Sequence, residues 1–118
     1  MILSQLAMAA PTQRCEGVDI LYPTSNVAID HHNEKTAYLV LGSKVRHAKL
    51  KKVELVHKKG EKDVSKQVFK GTSGLNRILA LQQDLSGLDL PNQFWFSVDV
   101  EQNGQTCRYQ SQTFKITH

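Results

Sequence analysis

The only tryptophan of this chain and one of its two cysteines lie in a single regular stretch, residues 94–116, which reads FWFSVDVEQNGQTCRYQSQTFKI. Trp95 presents an aromatic face that could stack on a sugar ring, and Arg108 presents charged N–H donors to a polar ligand. The alternative for a lone tryptophan is packing beneath a loop or a terminus. Trp95 and Arg108 are therefore candidate ligand-binding residues.

The two cysteines, Cys15 and Cys107, are far apart in the chain. Neither belongs to a CxxC motif or to a paired Cys/His spacing, so the sequence does not predict a zinc site. In an exported protein such a pair is most simply one disulfide, whereas in a cytosolic protein it is two free thiols. We predict a Cys15–Cys107 disulfide, which requires the first strand to run beside the ribbon that carries Cys107.

Positive charge is concentrated between residues 44 and 70. Ten Lys or Arg residues face three acidic ones there, a net charge of +7, while the rest of the chain sums to −3 within a total of +4. One interpretation is a lysine-rich edge strand that resists edge-to-edge pairing. The other is a basic face for an acidic polysaccharide, an acidic protein surface or a membrane headgroup layer, with Lys58, Lys59 and Lys62 as candidates. Nucleic acid is disfavoured because Phe69 is the segment's only aromatic residue.

The sequence contains no motif for catalysis or for a cofactor. It has no GxSxG, no P-loop and no glycine-rich dinucleotide motif, so we predict a non-catalytic protein without a cofactor. The run His31-His32 followed by Glu34 suggests a metal site, but adjacent residues of an extended chain point to opposite sides. We therefore predict a solvated loop there and no metal. His57 is predicted to be partly buried and hydrogen-bonded.

These residues must be positioned by strands. Asn103-Gly104, flanked by alternating residues, predicts a two-residue hairpin turn between strands 94–100 and 106–112. This register pairs Val100 with Cys107, Val98 with Tyr109, Asp99 with Arg108 and Phe96 with Ser111. The alternation changes phase after Ser111, which predicts a bulge or bend, a place where a strand can cross to a second sheet.

The remaining segments also have the patterns of strands. GVDILYPTS places Val18, Ile20 and Tyr22 in alternation, TAYLVLGS predicts a central apolar strand, and Lys59-Gly60-Glu61 predicts a second hairpin turn with Val53, Leu55 and His57 on one face. Residues 75–86 fit a strand or a short turn of helix, and we favour the strand. The expected fold is an all-β, antiparallel immunoglobulin-like β-sandwich of about seven strands.

The amino terminus, MILSQLAMAAPTQ, begins with a short apolar run that ends in a small-x-small pattern. We predict that residues 1–10 are a signal-peptide remnant and that residues 11–118 form a single β-sandwich domain. No stretch is long and apolar enough to predict a transmembrane segment. The expected location is extracellular, and the alternative is cytoplasmic.

The opening VDILYPTSNVAID and the closing pattern of Leu90-Pro91 followed by Tyr109-x-Ser111-x-x-Phe114-x-Ile116 resemble a known family. It is the immunoglobulin-like domain near the amino terminus of fungal Ser/Thr-rich, GPI-anchored surface proteins, which include cell-wall glucan-synthesis proteins. The resemblance implies an extracellular β-sandwich without catalytic residues. The expected function is a secreted, non-catalytic module that binds a cell-wall carbohydrate, neutral or anionic, or a protein partner. The alternative is a basic intracellular or periplasmic adaptor that binds an acidic protein.

Overall fold

The computed structural model describes residues 15–75 and 77–117, and within them the chain forms strands and no helix. The all-β prediction is confirmed, although the described residues form nine strands where about seven were expected. No helix in the described part of the chain could span a membrane. The strands are β1 Val18–Tyr22, β2 Ala28–Asp30, β3 Thr36–Ser43, β4 Ala48–Lys59, β5 Lys62–Leu75, β6 Ile78–Asp84, β7 Asn92–Gln102, β8 Gln105–Gln110 and β9 Phe114–Thr117.

The strands form two sheets. The small sheet has the order β1-β3-β6, and the large sheet has the order β2-β9-β7-β4-β5, with β8 also paired to β7. All pairs are antiparallel except β2 with β9, which is parallel, so the expectation of a purely antiparallel fold was wrong at this one pair. Strand β2 lies near the start of the chain and β9 near its end, so no hairpin turn joins them and forces them to run in opposite directions.

One hydrophobic core lies between the sheets, because each inner face is apolar at every second position. The inward-facing residues of β7 are completely buried. Strand β4, beside it in the large sheet, and β3, in the small sheet opposite, supply further core residues. The fully buried side chains of these strands include Phe94, Phe96, Val98, Val100, Leu39, Leu41, Leu50 and Val53. A one-residue shift in register would turn such a set toward water, so burial fixes the strand pairing.

The β7–β8 hairpin has the predicted register, with Val100 opposite Cys107 and Asp99 opposite Arg108. Asn103 and Gly104 have φ values of 51° and 78°, which a type I′ turn requires. The predicted change of phase after Ser111 is also present, because β8 ends before it and β9 starts at Phe114. The bend does not take the chain to the other sheet, since β9 continues along the same edge of β7.

The second predicted hairpin is confirmed as β4–β5, which turns at Gly60 and Glu61 and buries His57 on the inner face. The ambiguous segment 75–86 contains the strand β6, which pairs with β3 over all seven of its residues. In β1 the expected alternation fails. A register irregularity between Ile20 and Tyr22 turns the tyrosine outward, where it is 37% exposed.

The Cys15–Cys107 disulfide is present, with 5.4 Å between the Cα atoms. Strand β1 runs beside the β7–β8 hairpin, as the prediction required, and contacts β8 without pairing with it. Because β1 belongs to the small sheet, the bridge joins the segment before β1 to the large sheet. The Gln102 side chain supports the same junction. It donates to the Glu16 carbonyl over 2.9 Å and accepts from the Tyr109 hydroxyl over 2.7 Å. The predicted signal-peptide remnant, residues 1–10, lies outside the described residues.

Candidate functional site

A shallow groove of about 170 Å³ crosses the outer face of the large sheet, over strands β8, β7, β4 and β5. Its floor consists of Val56, Trp95 and Ser97. Val56 and Trp95 are register partners, and Phe94 and Phe96 on either side of the tryptophan are fully buried. Since neighbouring residues of a strand point to opposite faces, the core-facing phenylalanines direct the indole outward into the groove.

Arg108 forms one side of the groove and is held by Asp99. Its Nε donates to Asp99 Oδ1 over 2.8 Å and its Nη2 donates to Oδ2 over 3.3 Å. The Asp99 side chain is 14% exposed and that of Arg108 is 56% exposed, so the carboxylate is at the base and the guanidinium extends into solvent. Three of the five guanidinium N–H donors are not used by Asp99 and are available to a ligand.

The same contact changes the acidity of both groups. The hydrogen bond from Arg108 lowers the pKa of Asp99, although partial burial of the carboxyl opposes this, and Lys52 at 3.8 Å lowers the pKa further. The Asp99 carboxylate in turn raises the pKa of the Arg108 guanidinium. Both groups are therefore charged at neutral pH, and the guanidinium is fixed in direction with its charge largely balanced.

Two carboxylates, Glu54 and Asp63, line the opposite side of the groove together with Ser65. Glu54 Oε2 accepts a long hydrogen bond from Ser65 Oγ at 3.5 Å. Gln110 on β8 adds an amide on the Arg108 side. The groove thus combines one aromatic surface with carboxylate, hydroxyl, amide and guanidinium groups, which together can accept and donate hydrogen bonds around a polar ring.

The lysines predicted as ligand contacts are not gathered around this groove, unlike Arg108. Lys58, Lys59 and Lys62 are exposed at the turn of the β4–β5 hairpin, and Lys58 pairs with Asp63 at 3.8 Å. Arg46 and Lys49 line a different hollow beside the β7–β8 turn. Because β5 is the outermost strand of the large sheet and carries several lysines, the edge-protection interpretation accounts for part of this charge.

His57 is buried as predicted, with 5% of its surface exposed, but its expected hydrogen bond is missing at Nε2, which has no partner. Its ring lies 5.1 Å from that of Phe94, and it lines a hollow of about 210 Å³ with Leu55, Val64 and Leu88. His31 and His32 lie in a turn after β2. No group of three His, Cys, Asp or Glu side chains suited to a metal ion occurs in residues 15–75 and 77–117.

Trp95 and Arg108 were predicted from the sequence, whereas the residues on the acidic side of the groove were not. Gln110 could have been added, because the hairpin register places it opposite Ser97. Glu54, Asp63 and Ser65 could not, because they approach Trp95 only through the pairing of β4 with both β5 and β7. The pairing of β4 with β7 joins segments about 40 residues apart, and nothing local in the sequence specifies its register.

Comparison with known proteins gives this chain no relative: no protein-family model, no curated protein and no solved structure matches it.

Proposed function

We propose that this protein is a secreted, non-catalytic, immunoglobulin-like module that binds a cell-wall carbohydrate in the Trp95 groove. The strand order supports the immunoglobulin-like assignment. In such domains the strands lettered A, B and E share one sheet and G, F, C and C′ share the other. Here β1-β3-β6 matches the first set, and β9 and β8, β7, β4 and β5 match the second. The disulfide is compatible with export, since such bonds persist in oxidising compartments.

The observation that carries the proposal is the position of Trp95 on the floor of an open polar groove. An indole is amphipathic, so it can cover the apolar face of a sugar ring while polar side chains around it bond to the hydroxyl groups. Arg108 and Gln110 stand on one side of it and Glu54 and Asp63 on the other. Open grooves of this kind admit a chain of sugars, whereas enclosed pockets admit a single small molecule.

The charges in the groove favour a neutral polysaccharide over an anionic one. Arg108 is already paired with Asp99 over 2.8 Å, so little of its positive charge is uncompensated. Glu54 and Asp63 are likewise paired, with Lys52 at 3.9 Å and Lys58 at 3.8 Å, so the groove has no surplus positive charge to attract a carboxylate or a sulfate on the ligand. We therefore propose neutral glucan or chitin-type oligosaccharides as the ligand class, and an anionic polysaccharide as the less favoured one.

A fluorescence titration tests the proposal directly, because Trp95 is the only tryptophan in the chain. Soluble β-glucan and chitin oligosaccharides should shift its emission in a saturable manner. Trp95→Ala should weaken binding measured by calorimetry by about tenfold or more, corresponding to about 1.4 kcal/mol. Thr106→Ala, an exposed position of β8 outside the groove, is the matched control and should bind like the wild type. An unchanged emission spectrum with every oligosaccharide would refute the proposal.

A protein partner is the second candidate, and the hairpin turn favours it. Lys59 and Lys62 are exposed there and neither forms an ion pair with another described residue. Unpaired lysines at a projecting turn could bind an acidic protein surface, as an adaptor of the same fold would do.

A further inference from the structure

The hollow beside His57 lies on the inner side of the β4–β5 hairpin. Its walls are β4, β5 and the loop between β6 and β7, and its volume is about 210 Å³. Leu55 and His57 line it from β4, whereas Val56 between them lines the Trp95 groove. Since neighbouring residues of a strand point to opposite faces, the hollow and the groove are on opposite sides of the large sheet.

The lining of this hollow is mainly aliphatic, and one of its residues is open to solvent. Leu55 belongs to the hydrophobic core, and Leu88 of the loop packs against that core. Val64 of β5 also lines the hollow but is 40% exposed, so its side chain marks the opening. An apolar cavity of about 150 Å³ can hold benzene. A hollow of about 210 Å³ therefore has room for one six-membered ring and a small substituent.

His57 contributes a buried polar atom without a partner. The residue is only 5% exposed, and its Nε2 forms no hydrogen bond with any described residue. Its register partner is Val64 on one side and Phe94 on the other, and the Phe94 ring centroid is 5.1 Å away. Both are hydrocarbon side chains and offer the imidazole no hydrogen bond. Because an unpaired buried nitrogen is unfavourable, a ligand that bonds to it gains affinity that the same bond made in water would not give.

The charged residues around the hollow leave no free cation for an anionic ligand. Lys66 Nζ donates to the Ser86 carbonyl and lies 3.9 Å from Asp84, so its charge is paired. The same contacts hold the loop that carries Leu88 against β5. Asp89 at the rim is exposed and forms no ion pair within the described part of the chain. Its carboxylate opposes an anion, and because it is in water it does little to offset the cost of burying a cation among leucines.

We propose that this hollow is a second binding site, which takes a small neutral phenol or alcohol. The ring of the ligand packs against Leu55, Val64 and Leu88, and its hydroxyl group bonds to Nε2 of His57. A hydroxyl suits this position because it both donates and accepts, so it can pair with Nε2 whether or not that nitrogen carries a proton. The site lies across the sheet from the Trp95 groove and does not depend on carbohydrate binding there.

Methyl-detected NMR of the complete chain, titrated with phenol, tests the site. Phenol should shift the methyl signals of Leu55, Val64 and Leu88 in a saturable manner and leave the indole N–H signal of Trp95 unchanged. Toluene has a similar shape without the hydroxyl. It should bind at least about threefold more weakly, although its transfer from water is the more favourable, because Nε2 stays unpaired. Benzoate and benzylamine should also bind more weakly than phenol, because each brings a charge to the apolar lining.

His57→Phe tests the role of the ring nitrogen, because phenylalanine keeps an aromatic ring beside Phe94 and removes both nitrogens. It should weaken phenol binding at least about fivefold and leave toluene binding within about twofold of the wild type. His32→Phe, at an exposed position in the turn after β2, is the matched control and should bind both ligands like the wild type. Nitrogen NMR of the wild type gives a test that needs no variant. Phenol should cause a large shift at His57 Nε2, and toluene only a small one.

Three results would overturn the proposal in whole or in part. The site is wrong if the methyl signals of Leu55, Val64 and Leu88 do not shift at any phenol concentration that leaves the protein folded. The role of His57 is wrong if toluene binds as tightly as phenol, or if phenol leaves the Nε2 signal unchanged. The neutral class of ligand is wrong if benzoate or benzylamine binds more tightly than phenol. None of these results affects the carbohydrate titration of Trp95, which reports on the other face of the sheet.

Discussion

Removing the Cys15–Cys107 bridge should destabilise the protein by a large and calculable amount. The bridge closes a loop of sequence separation 92. The chain-entropy relation assigns about 4–5 kcal/mol to a loop of this length, because the cross-link removes conformations from the unfolded chain. A domain of this size has a total stability of about 5–15 kcal/mol, so the loss is a substantial fraction of it. The melting temperature should fall by roughly 15–20 °C.

The informative variant is Cys15→Ser, because Cys15 is exposed and Cys107 is completely buried. Serine at position 15 removes the cross-link and leaves the core unchanged. Cys107→Ala removes the same cross-link and also a buried sulfur atom, so it should cost more by the additional loss of packing. The difference between the two variants separates the effect on the unfolded chain from the effect on the core.

The assay is urea denaturation followed by Trp95 fluorescence at pH 6, where free thiols remain protonated. Wild type that has been reduced should have the same free energy of unfolding as Cys15→Ser, since the two then differ only at an exposed atom. A loss below about 1 kcal/mol in Cys15→Ser would refute the reasoning. That result would mean that the unfolded chain keeps enough residual structure for the cross-link to remove few of its conformations.

Three further outcomes are expected. First, Arg108 lowers the pKa of Asp99, so the Asp99 carboxylate stabilises the fold fully above its unfolded pKa of about 3.9, and this contribution is lost as pH falls through the lower folded pKa. Asp99→Asn should therefore flatten that part of the curve of unfolding free energy against pH, measured by denaturation. A curve identical to that of the wild type would contradict the assignment. Second, Tyr109→Phe should cost about 1–3 kcal/mol in the same assay, because it removes the hydroxyl that bonds to buried Gln102, while Tyr38→Phe on the surface should be neutral. Third, if the β4–β5 hairpin turn binds acidic partners, retention of the protein on immobilised polyglutamate should weaken as salt is added. Charge reversal of Lys58, Lys59 and Lys62 together should abolish this retention, whereas reversal of the exposed Lys44, Lys70 and Lys115 should have a smaller effect. Equal losses in the two variants would assign the retention to net charge alone.

Local patterns in the sequence were sufficient to predict individual strands and the two hairpins. Asn103 and Gly104 adopt positive φ values with little strain, so they determine a turn, and the turn determines the register that places Asp99 beside Arg108. The break after Ser111 followed from the change in apolar phase. For residues 75–86 a strand was favoured over a turn of helix because of the flanking Gly74 and Gly87 and the strand patterns in the rest of the chain. These features depend on neighbours within a few residues, which is why a single sequence reveals them.

The pairing of distant strands was decided only by the tertiary structure. The paired residues of β4 and β7 are about 40 positions apart in the chain. Their pairing creates the groove, because it places Val56 beside Trp95 and Glu54 beside Ser97. The parallel contact of β2 with β9, the outward turn of Tyr22 and the location of β1 in the small sheet also follow from long-range packing. The sequence by itself determined which residues alternate and where the chain turns, because sterics and local burial act over short distances. Only the tertiary structure decided which strands are neighbours, because that choice depends on burying all the apolar faces together in one core.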